Sequence, residues 1–490
     1  MTGATPSRSP LPGLAVIGLG ASIVPLDFAV NVAFPAITEA FAIPTHAIRW
    51  VAVCYVLTYG ALMIGFGALG DRIGYLRVFR AGLALGAVAF AGCALAPTFG
   101  WLLAARGLQG VATALTLSCA PALATLLVEA SRRTWALSAF AATQAIAGVA
   151  APIVGGATVA VLGWPGVYTF RVPIVLGALA CSAVLAPAAA RQVVRTDARF
   201  DLGGSATLAL AFGLVLLVPT LVGTVLLAPG ATTRTTAESG ASLVPAIVAA
   251  LAAAGAIAAF VRRQRASATP LLPREVAREA RFALVNVGAC VVQFACFAVP
   301  LTTPYFLMLG GGWPAWDTGL MLSVWAVGML AGSWLAPRAV AALGTRRAAL
   351  AGAAVVVLGL AGIASWSAVP HPATMIGWLL LQGAGLGLFQ VAYSDLVVAA
   401  LPVSARGVAG SLTMVTRTVG IVLGATVWMG VLQGFESAAL ARGTAADAAM
   451  VGAYRAVTAA AALATLAFFA LSALRRGTWW GAAGSRHDGG

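Results

Sequence analysis

Four charged residues fall inside long apolar runs of this sequence. They are two acids, Asp27 and Asp395, and two bases, Arg106 and Arg417. A charge in an apolar span is costly, so each should face a cavity or an opposite charge. Desolvation favours the neutral form of a carboxyl group and a nearby cation favours its charged form, so such an acid can exchange a proton. We expect Asp27 to carry a proton, Asp395 to be the second candidate, and Arg106 to tune the site.

Polar side chains accompany these charges. Asn31 lies four residues after Asp27, so the two share a helix face, and Gln109 lies three residues after Arg106. Together with Gln382 and Arg417, Asn31 and Gln109 are candidates for lining a substrate cavity. A purely structural role for the Asp27–Asn31 pair stays open.

Asp395 has two further interpretations. It could pair with Arg417 across two helices, or it could lie at the cytoplasmic end of its helix as a structural ion pair near Arg406. The second interpretation is favoured slightly.

The elements that would position these residues are membrane-length helices. The chain has 490 residues, of which 61% are hydrophobic and 9% charged, which is typical of a polytopic membrane protein. A span needs roughly twenty apolar residues at ~1.5 Å per residue. The apolar runs predict fourteen helices, at 12–36, 47–69, 78–97, 100–128, 134–161, 167–189, 203–228, 242–262, 282–309, 317–341, 347–369, 373–400, 406–432 and 450–474.

The net charge of +15 could suggest nucleic acid, but the placement of the basic residues argues against that partner. Most of them lie in alternate short loops and in the two tails, which predicts that both ends are cytoplasmic. Arg49 and Arg171 fall on the opposite side in this assignment. The six cysteines and three histidines are scattered, so we expect no metal site, no enzyme and no cofactor.

A short charged loop, residues 67–79, joins the second and third predicted spans. Gly67, Gly70 and Gly74 permit tight turns and close backbone approach, and Asp71 is the only acid among several arginines. Guanidinium–carboxylate pairs of this kind could form a breakable latch between two rigid bodies. The alternative is an ordinary basic loop that only sets topology.

This loop resembles the signature of the major facilitator superfamily, Gly-x-Leu-x-Asp-Arg-x-Gly. The pattern matches at Gly67, Leu69, Asp71, Arg72 and Gly74. The family usually has two basic residues directly after the last glycine, whereas here Arg77 follows Tyr75 and Leu76. The resemblance implies a conformational latch formed by Gly67, Asp71, Arg72, Gly74 and Arg77.

Three further stretches resemble the fourteen-helix drug:proton antiporters of that superfamily. Residues 26–35 are similar to their first-helix motif, and Arg106 with Gln109-Gly110 is similar to a motif implicated in proton coupling. Residues 147–156 resemble a motif that marks exporters. That antiporter motif comprises Gly148, Pro152, Gly155 and Gly156, with alanine at 147 and 151 in place of two usual glycines.

The resemblance implies an all-α facilitator fold with 14 transmembrane helices, arranged 6+2+6. The domains would be a six-helix bundle at 1–190, a linker with two extra helices at 191–281, a second bundle at 282–474 and a cytoplasmic tail at 475–490. The implied function is proton-driven export of lipophilic, cationic drugs or antibiotics by alternating access. The partners would be a small-molecule substrate, protons and the lipid of the plasma membrane, with the chain acting as a monomer.

Two alternatives stay open. One is a facilitator that imports a small metabolite with protons. The other, less favoured, is a membrane scaffold without transport activity or a membrane-embedded enzyme.

Overall fold

A computed structural model gives the fold at side-chain detail. It describes residues 10–190, 210, 213–214, 218, 247–259, 262, 280–367, 371–400 and 406–474. The chain divides into two compact units. Among the described residues, the first unit comprises everything up to 262 together with Gly312–Ser323, and the second comprises the rest.

The first unit is a bundle of helices. Its elements, in chain order, are α1 (Leu11–Ala21), a 3-10 turn (Pro25–Asp27), α2 (Phe28–Ala40), α3 (Arg49–Ile73), α4 (Tyr75–Ala94), α5 (Phe99–Leu126), α6 (Arg133–Leu162), α7 (Gly166–Thr169), α8 (Arg171–Cys181), α9 (Ala186–Ala189) and α10 (Ile247–Ala259).

The second unit is also helical throughout its described part. Its elements are α11 (Ala280–Cys296), α12 (Ala298–Tyr305), α13 (Ala315–Leu343, whose first residues belong to the first unit), α14 (Thr345–Ala364), α15 (Pro372–Ala400), α16 (Arg406–Ala441) and α17 (Ala446–Leu474).

The described part of the chain contains twelve helices long and apolar enough to cross a membrane. They correspond to the predicted spans outside 203–228 and 242–262. Of that predicted extra pair, the described residues include α10, which is apolar but shorter than a span. The all-α class is confirmed, whereas the count of fourteen stays a prediction because most of residues 203–246 lie outside the described residues.

The first span is interrupted at Pro25, and this interruption positions Asp27. Proline lacks the backbone N–H that a continuous helix needs, and α1 ends at Ala21 before the turn Pro25–Asp27. Asp27 then precedes α2, but its side chain does not cap that helix. The carboxylate is therefore available to groups on other helices.

Close packing of α6 holds the neighbouring backbone in place. A Cβ atom at Gly155 would lie 2.8 Å from the backbone of Ala29, and one at Gly156 would lie 2.6 Å from the carbonyl oxygen of Ala315. The side of α6 that carries Gly155 therefore contacts α2 without intervening side chains. At Gly148, in contrast, a Cβ would meet Pro25 at an ordinary 3.6 Å.

This difference predicts that two glycines of one motif respond differently to the same change. We expect Gly155→Ala to destabilise the protein by about 1–3 kcal/mol, because the added methyl group overpacks against backbone that cannot yield. Gly148→Ala is the matched control and should change stability by less than about 0.5 kcal/mol. Melting of the purified protein in detergent measures both, and equal melting temperatures would contradict the packing described here.

Candidate functional site

Asp27 lies at the centre of a buried hydrogen-bonded network in the first unit. Arg106, on the second turn of α5 and 1% exposed, approaches it with both terminal nitrogens, at 2.6 Å to Oδ1 and 2.8 Å to Oδ2. Gln109 donates its amide N–H to Oδ1 at 3.0 Å and accepts a bond of 2.7 Å from Arg106. Asp27 and Arg106 thus form a bidentate ion pair, the strongest geometry for such groups.

A second guanidinium contacts the same carboxylate. Arg171 Nη1 lies 2.9 Å from Asp27 Oδ1, and its Nη2 donates to the carbonyl oxygen of Leu26 at 2.6 Å. Arg171 is fully buried, while the Asp27 side chain is 16% exposed. The cluster therefore holds one carboxylate against two permanent cations and carries a surplus positive charge, since arginine keeps its proton in proteins.

Local sequence explains how Arg171 reaches this position. Gly163 has a positive φ of 69°, which lets the chain turn sharply after α6. The next helix, α7, then packs tightly on α6: a Cβ atom at Gly166 would lie 2.6 Å from the carbonyl oxygen of Thr158. Arg171 follows as the first residue of α8.

Aromatic rings cover the two guanidiniums. The Arg106 guanidinium lies 4.5 Å from the ring centre of Tyr55, and the Arg171 guanidinium lies 5.4 Å from that of Phe90. Tyr168 is fully buried and lies within about 6 Å of both cations. Ring faces attract cations and exclude water. The surroundings of Asp27 are therefore cationic and mostly dry.

Arg171 and Arg49, assigned from the sequence to the side opposite the two tails, are buried within the first unit, which the sequence did not indicate. Both are 0% exposed, so Arg106 is not the only buried base of the first unit. Arg49 begins α3, and none of its three guanidinium nitrogens has a hydrogen-bond partner among the described residues. Sequence reasoning failed here because an arginine at the end of an apolar run is by default assigned to the interface.

The other residues predicted to line a cavity are dispersed. Asn31 is buried one turn after Asp27 in the first unit, and no hydrogen bond within the described chain joins the two. Gln382 is buried in the second unit, where its side-chain oxygen accepts a hydrogen bond from the indole N–H of Trp325.

Asp395 and Arg417 do not form the pair that was considered possible. Asp395 is exposed near the end of α15, and it makes no ion pair in the described chain. Arg417, on α16, lines a cavity of about 120 Å³ in the second unit, whose described lining residues do not include Asp395. The suggested ion pair with Arg406 stays a prediction, because the side chain of Arg406 lies outside the described residues.

Residues 67–79, expected to form a charged loop, are helical except at Gly74: the first part ends α3 and the last part begins α4. Gly74 has a φ of 100° and separates α3 from α4. The hydroxyl group of Tyr75 donates to the Asp71 carboxylate, and no arginine of the described chain pairs with Asp71. Arg77 instead contacts the Ile73 carbonyl oxygen at 3.4 Å. The latch formed by Gly67, Asp71, Arg72, Gly74 and Arg77 therefore stays a prediction, and its expected ion pair is absent from the described residues.

The network around Asp27 could respond to the binding of a single proton. Protonation of the carboxylate would cancel its charge and leave two buried guanidiniums facing each other, which is unfavourable without an anion. The groups would then have to separate or find new partners. Such an arrangement has two states that differ by one proton.

Two of the known proteins with similar sequences are named for drug resistance or export. Multidrug resistance protein Stp of Mycobacterium tuberculosis is 29% identical over 436 residues, which cover 89% of this chain and 78% of that protein. The tetracenomycin C resistance and export protein of Streptomyces glaucescens is 26% identical over 427 residues, covering 86% of this chain and 76% of that protein.

Solved structures show the same fold at low identity. A bacterial homologue of the human lysosomal transporter Spinster, in an inward-facing and unoccupied conformation, superimposes with a TM-score of 0.63 at 15% identity and covers 96% of both chains. The nucleoside transporter NupG gives a TM-score of 0.58 at 13% identity, covering 94% of this chain and 99% of that one.

The family assignment rests on most of the chain. Residues 13–425 match the Major Facilitator Superfamily, and the twelve apolar helices described above agree with a multi-pass membrane transporter. These matches are to transporters and not to enzymes. The chain therefore belongs to the Major Facilitator Superfamily.

Proposed function

We propose that this chain is a proton-driven antiporter that exports lipophilic compounds by alternating access, and that Asp27 carries the proton. The observation that carries this proposal is the bidentate Asp27–Arg106 ion pair inside an apolar span. A buried pair that a single proton can break is a suitable coupling element, because its two states favour different arrangements of the helices that bear it.

The geometry around Asp27 gives each partner a role. Arg106 holds both carboxylate oxygens and also donates to the carbonyl oxygen of Val51 at 2.7 Å, so it links the acid to α3. Gln109 bonds both members of the pair. When Asp27 is neutral, Arg106 keeps Val51 and Gln109 as partners, so the cation stays partly compensated while the helices move.

Two observations support export over import. The motif that includes Pro152, Gly155 and Gly156 resembles one that marks exporters, and the similar proteins are named for drug resistance and export. In such a cycle Asp27 would be protonated in one conformation and ionised in the other, so that a proton enters as the substrate leaves.

The expected preference for cationic substrates stays a prediction. A cationic compound would have to compete with Arg106 and Arg171 to reach Asp27. Export of drugs has broader support than any charge preference, because the similar proteins are named for multidrug resistance or for resistance to and export of an antibiotic.

Neutralising Asp27 should uncouple transport from the pH gradient. In proteoliposomes with an imposed gradient, we expect Asp27→Asn to abolish uphill movement of a fluorescent lipophilic dye, because the side chain can no longer gain and lose a proton. Asp27→Glu should retain part of the activity. Glu39→Gln, an exposed acid on the same span, is the matched control and should transport like the wild type.

The direction of movement separates the alternatives. Dye movement opposite to the flow of protons indicates antiport, and movement in the same direction as the protons indicates symport. Uphill export by Asp27→Asn at the wild-type rate would refute the assignment of the proton to Asp27.

Because two guanidiniums share one carboxylate, we expect the loss of stability in Asp27→Asn to be partly recovered by removing one guanidinium. Asp27→Asn should lower the free energy of unfolding by about 3–5 kcal/mol, because it leaves two buried guanidiniums without an anion. Adding Arg171→Asn should recover part of this loss by removing one of the two cations. Melting of the single and double variants in detergent tests this, with Arg442→Asn, an exposed arginine of the second unit, as the control second substitution.

If the double variant melts below Asp27→Asn, the two guanidiniums do not repel each other as described. In that case Arg171 serves mainly to hold the Leu26 carbonyl oxygen in place.

A further inference from the structure

The cavity of the second unit is lined by one positively charged side chain and otherwise by neutral ones among its described lining residues. Its volume is about 120 Å³, and its described lining residues come from α11, α15 and α16. Arg417 is the only one of these residues with a permanent charge, and no carboxylate is among them. Within the described chain, Arg417 has neither an ion pair nor a hydrogen-bond partner. A half-buried guanidinium in this condition lacks the anion that would normally compensate it.

The polar side chains beside Arg417 are held in place by each other. Gln390 donates its amide N–H to the side-chain oxygen of Gln293 at 3.0 Å. The hydroxyl groups of Tyr393 and Thr416 both donate to the side-chain oxygen of Asn286, at 2.8 and 3.1 Å. These bonds fix the orientation of the wall and cost a ligand little ordering when it binds.

This network leaves a hydrogen-bond donor on a residue that lines the same cavity as Arg417. The oxygen of Gln293 is engaged by Gln390, so its amide nitrogen remains for another acceptor. Gln293 and Arg417 both line the cavity. An amide N–H and a guanidinium together match the two oxygens of a carboxylate, and a guanidinium alone can bind both oxygens in parallel.

The remaining walls suit an aromatic or aliphatic body. Phe389 and Tyr393 both line the cavity, with their rings nearly parallel at 3° and their centres 6.1 Å apart. Leu386 and Met414 add apolar surface. A cavity of about 150 Å³ is known to hold benzene, so a cavity of about 120 Å³ has room for a carboxylate group and the edge of the ring that bears it, with the rest of a larger compound outside it.

We infer that this cavity binds the carboxylate-bearing, aromatic end of a transported compound, with Arg417 as the charge partner and Gln293 as a second donor. A cationic group would be repelled here. The inference rests on the proposed export of lipophilic compounds and specifies one chemical feature of them. On this inference the acidic group of the substrate binds in the second unit, and the proton binds at Asp27 in the first unit.

A matched pair of dyes tests the inference by equilibrium binding. Rhodamine 110 carries a free benzoate group, and rhodamine 123 is its methyl ester with the same ring system. We expect the purified full-length protein to bind rhodamine 110 more tightly than rhodamine 123, measured by fluorescence anisotropy. This comparison needs no variant, so it stands even if a substitution prevents folding.

Variants then locate the preference. Arg417→Gln should weaken rhodamine 110 binding roughly tenfold to a hundredfold, the range expected for a hydrogen bond to a charged group, and should leave rhodamine 123 nearly unchanged. Arg417→Lys should keep part of the affinity, because it retains the charge and loses the planar fork. Arg442→Gln changes an exposed arginine outside the cavity and should bind both dyes like the wild type.

Three results would overturn the inference: no binding of rhodamine 110, tighter binding of the ester, or full rhodamine 110 affinity in a folded Arg417→Gln variant. Movement of both dyes under a pH gradient is measured separately in the same preparation, which tests the proposed antiport. Dyes that move under a pH gradient without a carboxylate preference in binding would contradict the inference alone. Arg417-dependent binding of rhodamine 110 without gradient-driven movement of either dye would contradict the proposed antiport alone.

Discussion

The first unit depends on one electrostatic constraint: a single carboxylate shared by two buried guanidiniums. Neither Arg106 nor Arg171 reaches water, so each requires Asp27 or a backbone carbonyl oxygen as an acceptor. The interruption of the first span at Pro25 brings the acid to them. The close contact between Gly155 and Ala29 then fixes the distance of α2 from α6. Protonation of Asp27 would remove the negative charge that compensates Arg106 and Arg171, and we therefore assign the coupling proton to Asp27.

The two units carry different polar chemistry. The first holds an ionic network in which Asp27 has more cationic partners than it can neutralise. The second holds neutral amide and hydroxyl groups around one uncompensated arginine, Arg417. On the proposed account, the proton and the acidic end of a substrate therefore need not share one residue. Their coupling would pass through the conformational equilibrium of the protein, as a difference in affinity between two states.

Much of the ionic site was predictable from sequence, because a charge within an apolar span must find a partner. This rule identified Asp27 and Arg106, and helical spacing added Gln109. It failed for Arg171, because a basic residue near the end of a span can also lie in a loop, where water solvates it and no buried partner is needed. Tyr168 carried no signal of its own, because a buried aromatic ring is ordinary in a membrane helix. For Asp395, the interpretation favoured from the sequence was a position at the end of its helix, and the residue is exposed near the end of α15. The cytoplasmic side of that end and the pairing with Arg406 stay predictions.

The central claim is that Asp27 gains and loses a proton during transport, and infrared difference spectroscopy tests it most directly. Spectra of the purified protein are recorded while the pH is lowered through the range in which transport operates. The account predicts a protonated-carboxyl C=O band that appears on acidification, diminishes when substrate is added at constant pH, and is missing from Asp27→Asn. An identical band in the wild type and in Asp27→Asn, or no band in the range where transport responds to pH, would contradict it.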